Sequence, residues 1–220
     1  YKKQKKILFI HPYFGNGGSE KGISILSKSL TANGYKVDLA FINISDNNLF
    51  KKTKYINFLK LSSSRIISSL VPFTKIILEN QYDIIIPTQS PTISFFTPLI
   101  YFLKIFGKNK SKTICFERLS PEIYFGKGLL SNLRKFIYFY SLRVADCILT
   151  NSLEQLISYR SILPKKLSFY IPNSSSCNHL VKKQKKELVL NSKNNKKKLK
   201  EILWMGRLEK IKDPLFALDV

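Results

Sequence analysis

Acidic side chains are scarce in this 220-residue chain: 14 Asp and Glu stand against 37 Lys and Arg, for a formal net charge of +23. A balance of that sign points to nucleic acid, anionic lipid or phosphorylated ligands. Arginine is scarce too, whereas specific readers of phosphates and base edges favour its planar fork over the lysine ammonium. The excess of Lys, together with abundant Ile, Asn and Ser, therefore fits a compositional bias of the source as well as it fits a membrane surface. Only three cysteines occur, Cys115, Cys147 and Cys177, at spacings that match no metal-ligand pattern. Two of them sit in apolar, strand-like runs, so a reduced, cytoplasmic protein is expected rather than a disulfide scaffold. The two histidines, His11 and His179, have no adjacent carboxylate or second His, which argues against metal and general-base roles for both.

Long apolar runs are missing as well. The Lys-rich start leads into only "ILFI" (7–10) before His11 and Pro12, which is not a secretory signal. The most lipid-like stretch, "TISFFTPLIYFLKIF" (92–106), is too short to span a bilayer and carries Pro98 and Lys104, so a buried helix is expected there.

What remains is a regular alternation of short apolar runs with longer segments of helical period, the pattern of parallel βαβ units. Strands are expected at 6–11, 35–42, 82–88, 112–117, 146–152 and 167–174, with a further one at 52–59. Helices are expected from Ser19 to about Asn33, over 63–80, 92–106 and 129–145, and at 153–160. The first places Ile23, Leu26 and Leu30 on one face and is ended by Gly34. The run "YDIIIPT" is apolar on both faces, which suits a central strand. No internal repeat is visible. From Asn173 the composition turns polar and Lys-rich, and "EILWMGRLEKIKDP" then starts a new strand, a Gly-Arg turn and a helix led by Asp213 and Pro214. The organisation read from this is an α/β domain at 1–173, a linker at 174–200, and the start of a second domain at 201–220.

In open parallel sheets ligands bind beyond the carboxyl ends of the strands. The loop "FGNGGSE" lies there, and Gly15, Gly17 and Gly18 open the helix that follows it. Backbone N–H groups and the helix dipole at such a place suit an anion or polar ligand, although Glu20 in the first turn would repel a phosphate. The spacing is not the G-x-G-x-x-G of a dinucleotide site, and no Gly-Lys-Ser/Thr follows as a P-loop requires. An ordinary β-to-α turn is the alternative reading of these glycines.

The order "GNGGSEK", "VADCILTNS", "IPNS" and "ILWMGRLEKIKDP" resembles that of family 4 retaining glycosyltransferases of the GT-B fold, over nearly the whole chain. The resemblance implies a Rossmann-like N-terminal, acceptor-side half, truncated at the opening of a second Rossmann-like, donor-side domain. It further implies that Arg207 and Lys212, with Gly206 clearing the approach, hold the diphosphate of a nucleotide sugar, and that Gly17 and Gly18 contact donor or acceptor. Many relatives place a His after the fifth strand. This chain has "FERLSP" there, similar to a branch with Glu-Arg in that position that is associated with N-acetylhexosamine or other hexose transfer, and this makes Glu117 and Arg118 the candidate catalytic pair. A salt bridge between the two that merely orders the loop is the plainer alternative.

On this reading the parent protein moves a hexosyl or N-acetylhexosaminyl group, with retention, onto a saccharide or lipid-linked saccharide of the cell envelope. No cofactor or metal is expected, the nucleotide sugar being a substrate, and the acidic pair that grips the donor sugar would lie beyond Val220, so residues 1–220 alone would not turn over. The helix "LLSNLRKFIYFYSLRVA" mixes cations with aromatics; its aromatics are expected in the core, but if exposed they would suit an anionic membrane surface on the cytoplasmic side. Nucleic acid is expected to bind only loosely, through the Lys-rich linker. The alternative to an enzyme is a Rossmann-like module that binds glycan or protein.

Overall fold

A computed structural model describes residues 4–15, 17–44, 56–61, 65–118 and 125–173. The chain divides into two units, Tyr1–Ser175 and Ser176–Val220, and the second lies outside the described residues. With it lie Gly206, Arg207, Lys212, Cys177, His179 and the segments expected as linker and second domain.

In the first unit seven strands form one parallel sheet in the order β3-β2-β1-β4-β5-β6-β7. They are β1 (Lys6–Phe14), β2 (Lys36–Ile44), β3 (Ile56–Lys60), β4 (Ile84–Pro87), β5 (Lys112–Glu117), β6 (Cys147–Thr150) and β7 (Ser168–Tyr170). The helices are α1 (Gly18–Ala32), α2 (Leu70–Asn80), α3 (Gln89–Ile105), α4 (Leu129–Val144) and α5 (Leu153–Ile162). This is the expected Rossmann-like α/β sheet, with β4 in the middle.

Alternation along the strands sorts the core into two layers. Leu8 and Ile10 of β1 face one way with Ala40, Ile42 and Ile85 and meet Phe73 and Ile77 of α2 and Phe96 and Ile100 of α3. Ile7 and Phe9 face the other way with Val37, Leu39 and Ile86 and meet Ile23, Leu26 and Leu30 of α1. Further along, Cys115 and Ile148 pack on Ile93, Tyr138, Leu142 and Tyr159 from α3, α4 and α5. Each fully buried Ile or Phe in these layers contributes about 1.5–3 kcal/mol.

Helix α1 ends as its glycine demands: Gly34 takes φ +85°, the Tyr35 N–H reaches back to the Leu30 carbonyl and the Gly34 N–H to Thr31. Several boundaries differ from the sequence expectation. Strand β1 runs on through Pro12 to Phe14; β4 stops opposite Ile10, so past that point β1 is an edge on that side, where a proline without N–H is tolerated. The helix expected over 63–80 is a 3-10 turn at Ile67–Ser69 followed by α2. Helix α3 starts three residues early, at Gln89, so Thr88 serves as its N-cap. The third strand begins at Ile56, residues 51–55 lying outside the described set.

Candidate functional site

Helix α1 leaves β1 toward one side of the sheet and α3 leaves β4 toward the other, so β1 and β4 flank the topological switch point. The exits of β1, β4 and β5 are laced together there: the Thr88 N–H and hydroxyl both donate to the Ile10 carbonyl at 2.9 Å, and Thr88 bridges to Phe116. Around this seam stand His11, Thr88, Gln89, Glu117 and Arg118, with Gly17, Gly18 and Glu20 at the start of α1.

The glycines have different uses. Gly17 is the N-cap of α1 with an ordinary φ of −76°, but a Cβ there would run into the Glu20 carboxylate, which folds back over it. Gly18 has open space where its side chain would be. So the room that Gly17 leaves is taken by this chain's own anion, and approach from outside is open over Gly18.

Glu20 receives the Ser19 hydroxyl at 2.7 Å, and one carboxylate oxygen is 3.8 Å from His11 Nε2. Burial would raise its pKa, yet His11, Ser19 and its own backbone N–H together hold it at about 2. The carboxylate thus answers the helix dipole from within the protein. His11 is buried on the same side of the sheet, and its Nδ1 is 2.6 Å from the Thr88 hydroxyl. The same hydroxyl lies 2.9 Å from the Ile10 carbonyl, and Nε2, on the other side of the ring, faces the Glu20 carboxylate. Burial pushes the His11 pKa down, against the opposing pull of Glu20. Sequence reasoning set His11 aside for want of an adjacent carboxylate; the carboxylate is nine residues away, carried over by the loop and the first turn of α1.

Glu117 and Arg118 leave β5 on opposite faces, as successive strand residues must. Glu117 goes under α3 and α4, fully buried, where its carboxylate accepts from the Ser90 hydroxyl at 2.8 Å, the Tyr138 hydroxyl at 2.9 Å and the Arg118 N–H at 3.0 Å. Tyr138 in turn is 2.6 Å from the Tyr159 hydroxyl. Arg118 turns to the α1 side, donates from Nη2 to Asn173 at 2.9 Å, and lies over the Phe116 ring. Its guanidinium fills the place beside Gly22 of α1, where a Cβ would come 2.9 Å from Cζ. Burial lowers the Arg118 pKa, and the charge it feels in compensation is that of Glu20. Strand alternation was the signal in the sequence that separates this pair.

Gln89, at the first turn of α3, has φ +68° and is buried. A non-glycine residue in that region stores strain, and such strain gathers at functional sites. Among the described residues no group of three or more His, Cys, Asp and Glu is placed to hold a metal ion. A cavity of about 590 Å³ lies at the opposite end of the sheet, lined by Lys6, Lys36, Asp38 and Asn57 among others. There Asp38 is engaged by Lys6 at 3.4 Å and by the Tyr82 hydroxyl at 2.6 Å, a structural arrangement.

The burial of His11 has a measurable consequence. Because folding depresses its pKa below the usual 6.5, the unfolded chain takes up the proton first, so stability is full above that value and declines as pH falls through it. The unfolding free energy, measured by urea denaturation from about pH 7 to about pH 5, is expected to drop in the native protein by at most about 1.4 kcal/mol per pH unit from this group, and His11→Gln is expected to flatten that limb. The Glu20 contribution belongs to a separate window, from its ordinary 4.5 down to about 2. An unchanged limb in His11→Gln would overturn the assignment.

No family model matches the chain, and no curated protein matches it by sequence. Solved structures do match. Sucrose-phosphate synthase from Thermosynechococcus elongatus aligns with TM-score 0.59 at 13% identity, over 77% of this chain and 48% of that one. The lipopolysaccharide outer core galactosyltransferase WaaB, in its apo form, aligns with TM-score 0.54 at 20% identity, over 77% of this chain and 46% of that one. UGT2 of Phytolacca americana, solved with UDP-2fluoro-glucose and pterostilbene, aligns with TM-score 0.54 at 10% identity, over 82% of this chain and 57% of that one. The chain thus spans about half the length of each of these three. At these identities the likeness is one of architecture: a seven-stranded parallel sheet with its helices, Rossmann-like, similar to the N-terminal domains of the GT-B fold.

Proposed function

We propose that this chain is the acceptor-side half of a retaining glycosyltransferase of family 4 type, which moves a hexosyl or N-acetylhexosaminyl group from a nucleotide diphosphate sugar to a saccharide or lipid-linked saccharide of the cell envelope. The observation that carries the reading is the seven-stranded parallel sheet, whose fold is similar to that of several solved glycosyltransferases. The open approach over Gly18, beside the Glu20 carboxylate that covers Gly17, supports a role for this half in receiving sugar hydroxyls. With Glu20 anionic at the start of α1, a diphosphate is disfavoured on that end, and Gly206, Arg207 and Lys212 are the residues proposed to take it.

In the reaction the C1–oxygen bond to the diphosphate breaks, the acceptor hydroxyl oxygen bonds to C1 on the same face, and its proton leaves with the nucleotide diphosphate or to water. Charge grows on the leaving oxygens, and fixed cations at Arg207 and Lys212 would stabilise it, with no metal required by the scheme. Of the Glu-Arg pair, Glu117 has no exposed surface and is assigned a positioning role, while Arg118 stands beside α1 and Glu20. A cytoplasmic place, at the inner face of the membrane, would follow from such donors and acceptors.

The test uses the whole protein, of which residues 1–220 are read as the front portion. Incubated with a panel of UDP- and GDP-sugars and extracts of lipid-linked saccharides, it is expected to release nucleotide from one donor in an acceptor-dependent way. Absence of release across the panel would overturn the proposal.

A further inference from the structure

We propose that the side-chain amide of Gln89 is the group with which this half selects its acceptor, spanning two neighbouring hydroxyls of a pyranose ring; the inference rests on the reading of the chain as half of a glycosyltransferase. Gln89 is only 6% exposed. Its amide has no hydrogen-bond partner among the described residues, and it is not sealed from solvent either. A buried amide is ordinarily paired, because an unmade donor and acceptor are costly. The backbone adds to that cost, since φ +68° places a non-glycine residue in the left-handed region. Glycine would take this backbone freely, so a glutamine here is explained by its side chain and not by the turn.

Gln89 follows Thr88 at the carboxyl end of β4 and opens α3, the place where an open parallel sheet takes its ligand. Thr88 is tied to His11 and Ile10 of β1, and Ser90 to Glu117 of β5. Both neighbours thus fasten the turn to the strands on either side, while the side chain between them is left unengaged. The charges around the turn favour a neutral, hydroxyl-bearing ligand. Each helix that starts at the seam already has a carboxylate of this chain, Glu20 at α1 and, through Ser90, Glu117 at α3. These answer the positive helix ends, which therefore call for no further anion. A primary amide offers a donor and an acceptor side by side, and adjacent ring hydroxyls return both. Such a contact discriminates steeply, because an epimer that turns one hydroxyl away leaves half of the amide unpaired.

The test reads saccharide binding directly, apart from turnover. The protein is labelled with ¹⁵N-glutamine; its five glutamines, Gln4, Gln81, Gln89, Gln155 and Gln184, give five side-chain amide pairs, and the Gln89 pair is the one that Gln89→Met removes. Methyl glycosides of glucose, galactose, mannose and N-acetylglucosamine are titrated into the millimolar range, with UDP in a parallel sample. One glycoside is expected to shift the Gln89 pair saturably, and its epimers weakly or not at all. Gln89→Met keeps the length and stem of the side chain and removes an amide without a protein partner, so the urea midpoint should stay where it is. Its dissociation constant for that glycoside, from saturation-transfer difference spectra, should rise by about tenfold or more. Gln89→Asn, which keeps the amide on a shorter stem, should lie between the two. A Gln89 pair that no glycoside moves, or that only UDP moves, would overturn the inference. So would a Gln89→Met protein that binds as the native one does, or that loses stability together with binding. A glycoside bound at Gln89 with no nucleotide release by the whole protein supports this inference and counts against the proposed reaction; nucleotide release with no shift at Gln89 does the opposite.

Discussion

Glu117→Ala is expected to destabilise the protein by about 3 kcal/mol in urea denaturation, with the slope of the transition unchanged. The carboxylate is fully buried and accepts from the Ser90 hydroxyl, the Tyr138 hydroxyl and the Arg118 N–H. Removing it leaves three donors facing a cavity, and each unsatisfied buried donor costs about 1–3 kcal/mol. The total stays near the lower part of the summed range because Tyr138 keeps its contact with the Tyr159 hydroxyl at 2.6 Å. Glu117→Gln keeps the volume and one carbonyl oxygen but sets an NH₂ against donors, so it should lose roughly half as much. The effect does not stop at the core. The Arg118 N–H is one of the three donors, so losing its acceptor frees the backbone from which the Arg118 side chain reaches Asn173 and α1. A Glu117→Ala protein as stable as the native one would mean that these donors find other partners, and the positioning role would fall with it.

The second large effect is expected in catalysis. In the whole protein Arg207→Ala should lower kcat/KM by about 10²–10³-fold, most of it in kcat, because the proposed interaction strengthens as charge builds on the departing diphosphate. Arg207→Lys should recover only part, since an ammonium restores the charge and not the two-pronged geometry. Arg207 lies outside the described residues, and its role rests on the resemblance of "GRLEKIKDP" to the phosphate-binding element of such enzymes. Activity equal to the native level in Arg207→Ala would remove that role. Acceptor-dependent nucleotide release that survives the substitution would leave glycosyl transfer standing with a different phosphate ligand, Lys212 or Lys210 being the nearest cations in sequence.

At the seam of β1 and β4, His11, Glu20 and Arg118 bring an imidazole, an anion and a cation to the side of the sheet where α1 begins, while Glu117 holds β5 to α3 and α4 from the other side. Glycine at 22 belongs to the same construction, since the Arg118 guanidinium occupies the place of its missing side chain.

Residue order alone determined the fold class, the number and sequence of the βα units, the central place of "IIIP" and the glycine end of α1. Each of these follows from local chemistry: apolar period, backbone freedom and the need of a two-sided strand for cover on both faces. Tertiary structure decided what those signals leave open. Whether Glu20 reaches His11 depends on how a nine-residue stretch of loop and helix turn closes, and which of the Phe and Tyr residues on α4 meet the core depends on where α3 and α5 stand against it. Contacts between elements far apart in sequence are set by packing geometry, to which neither periodicity nor adjacency refers.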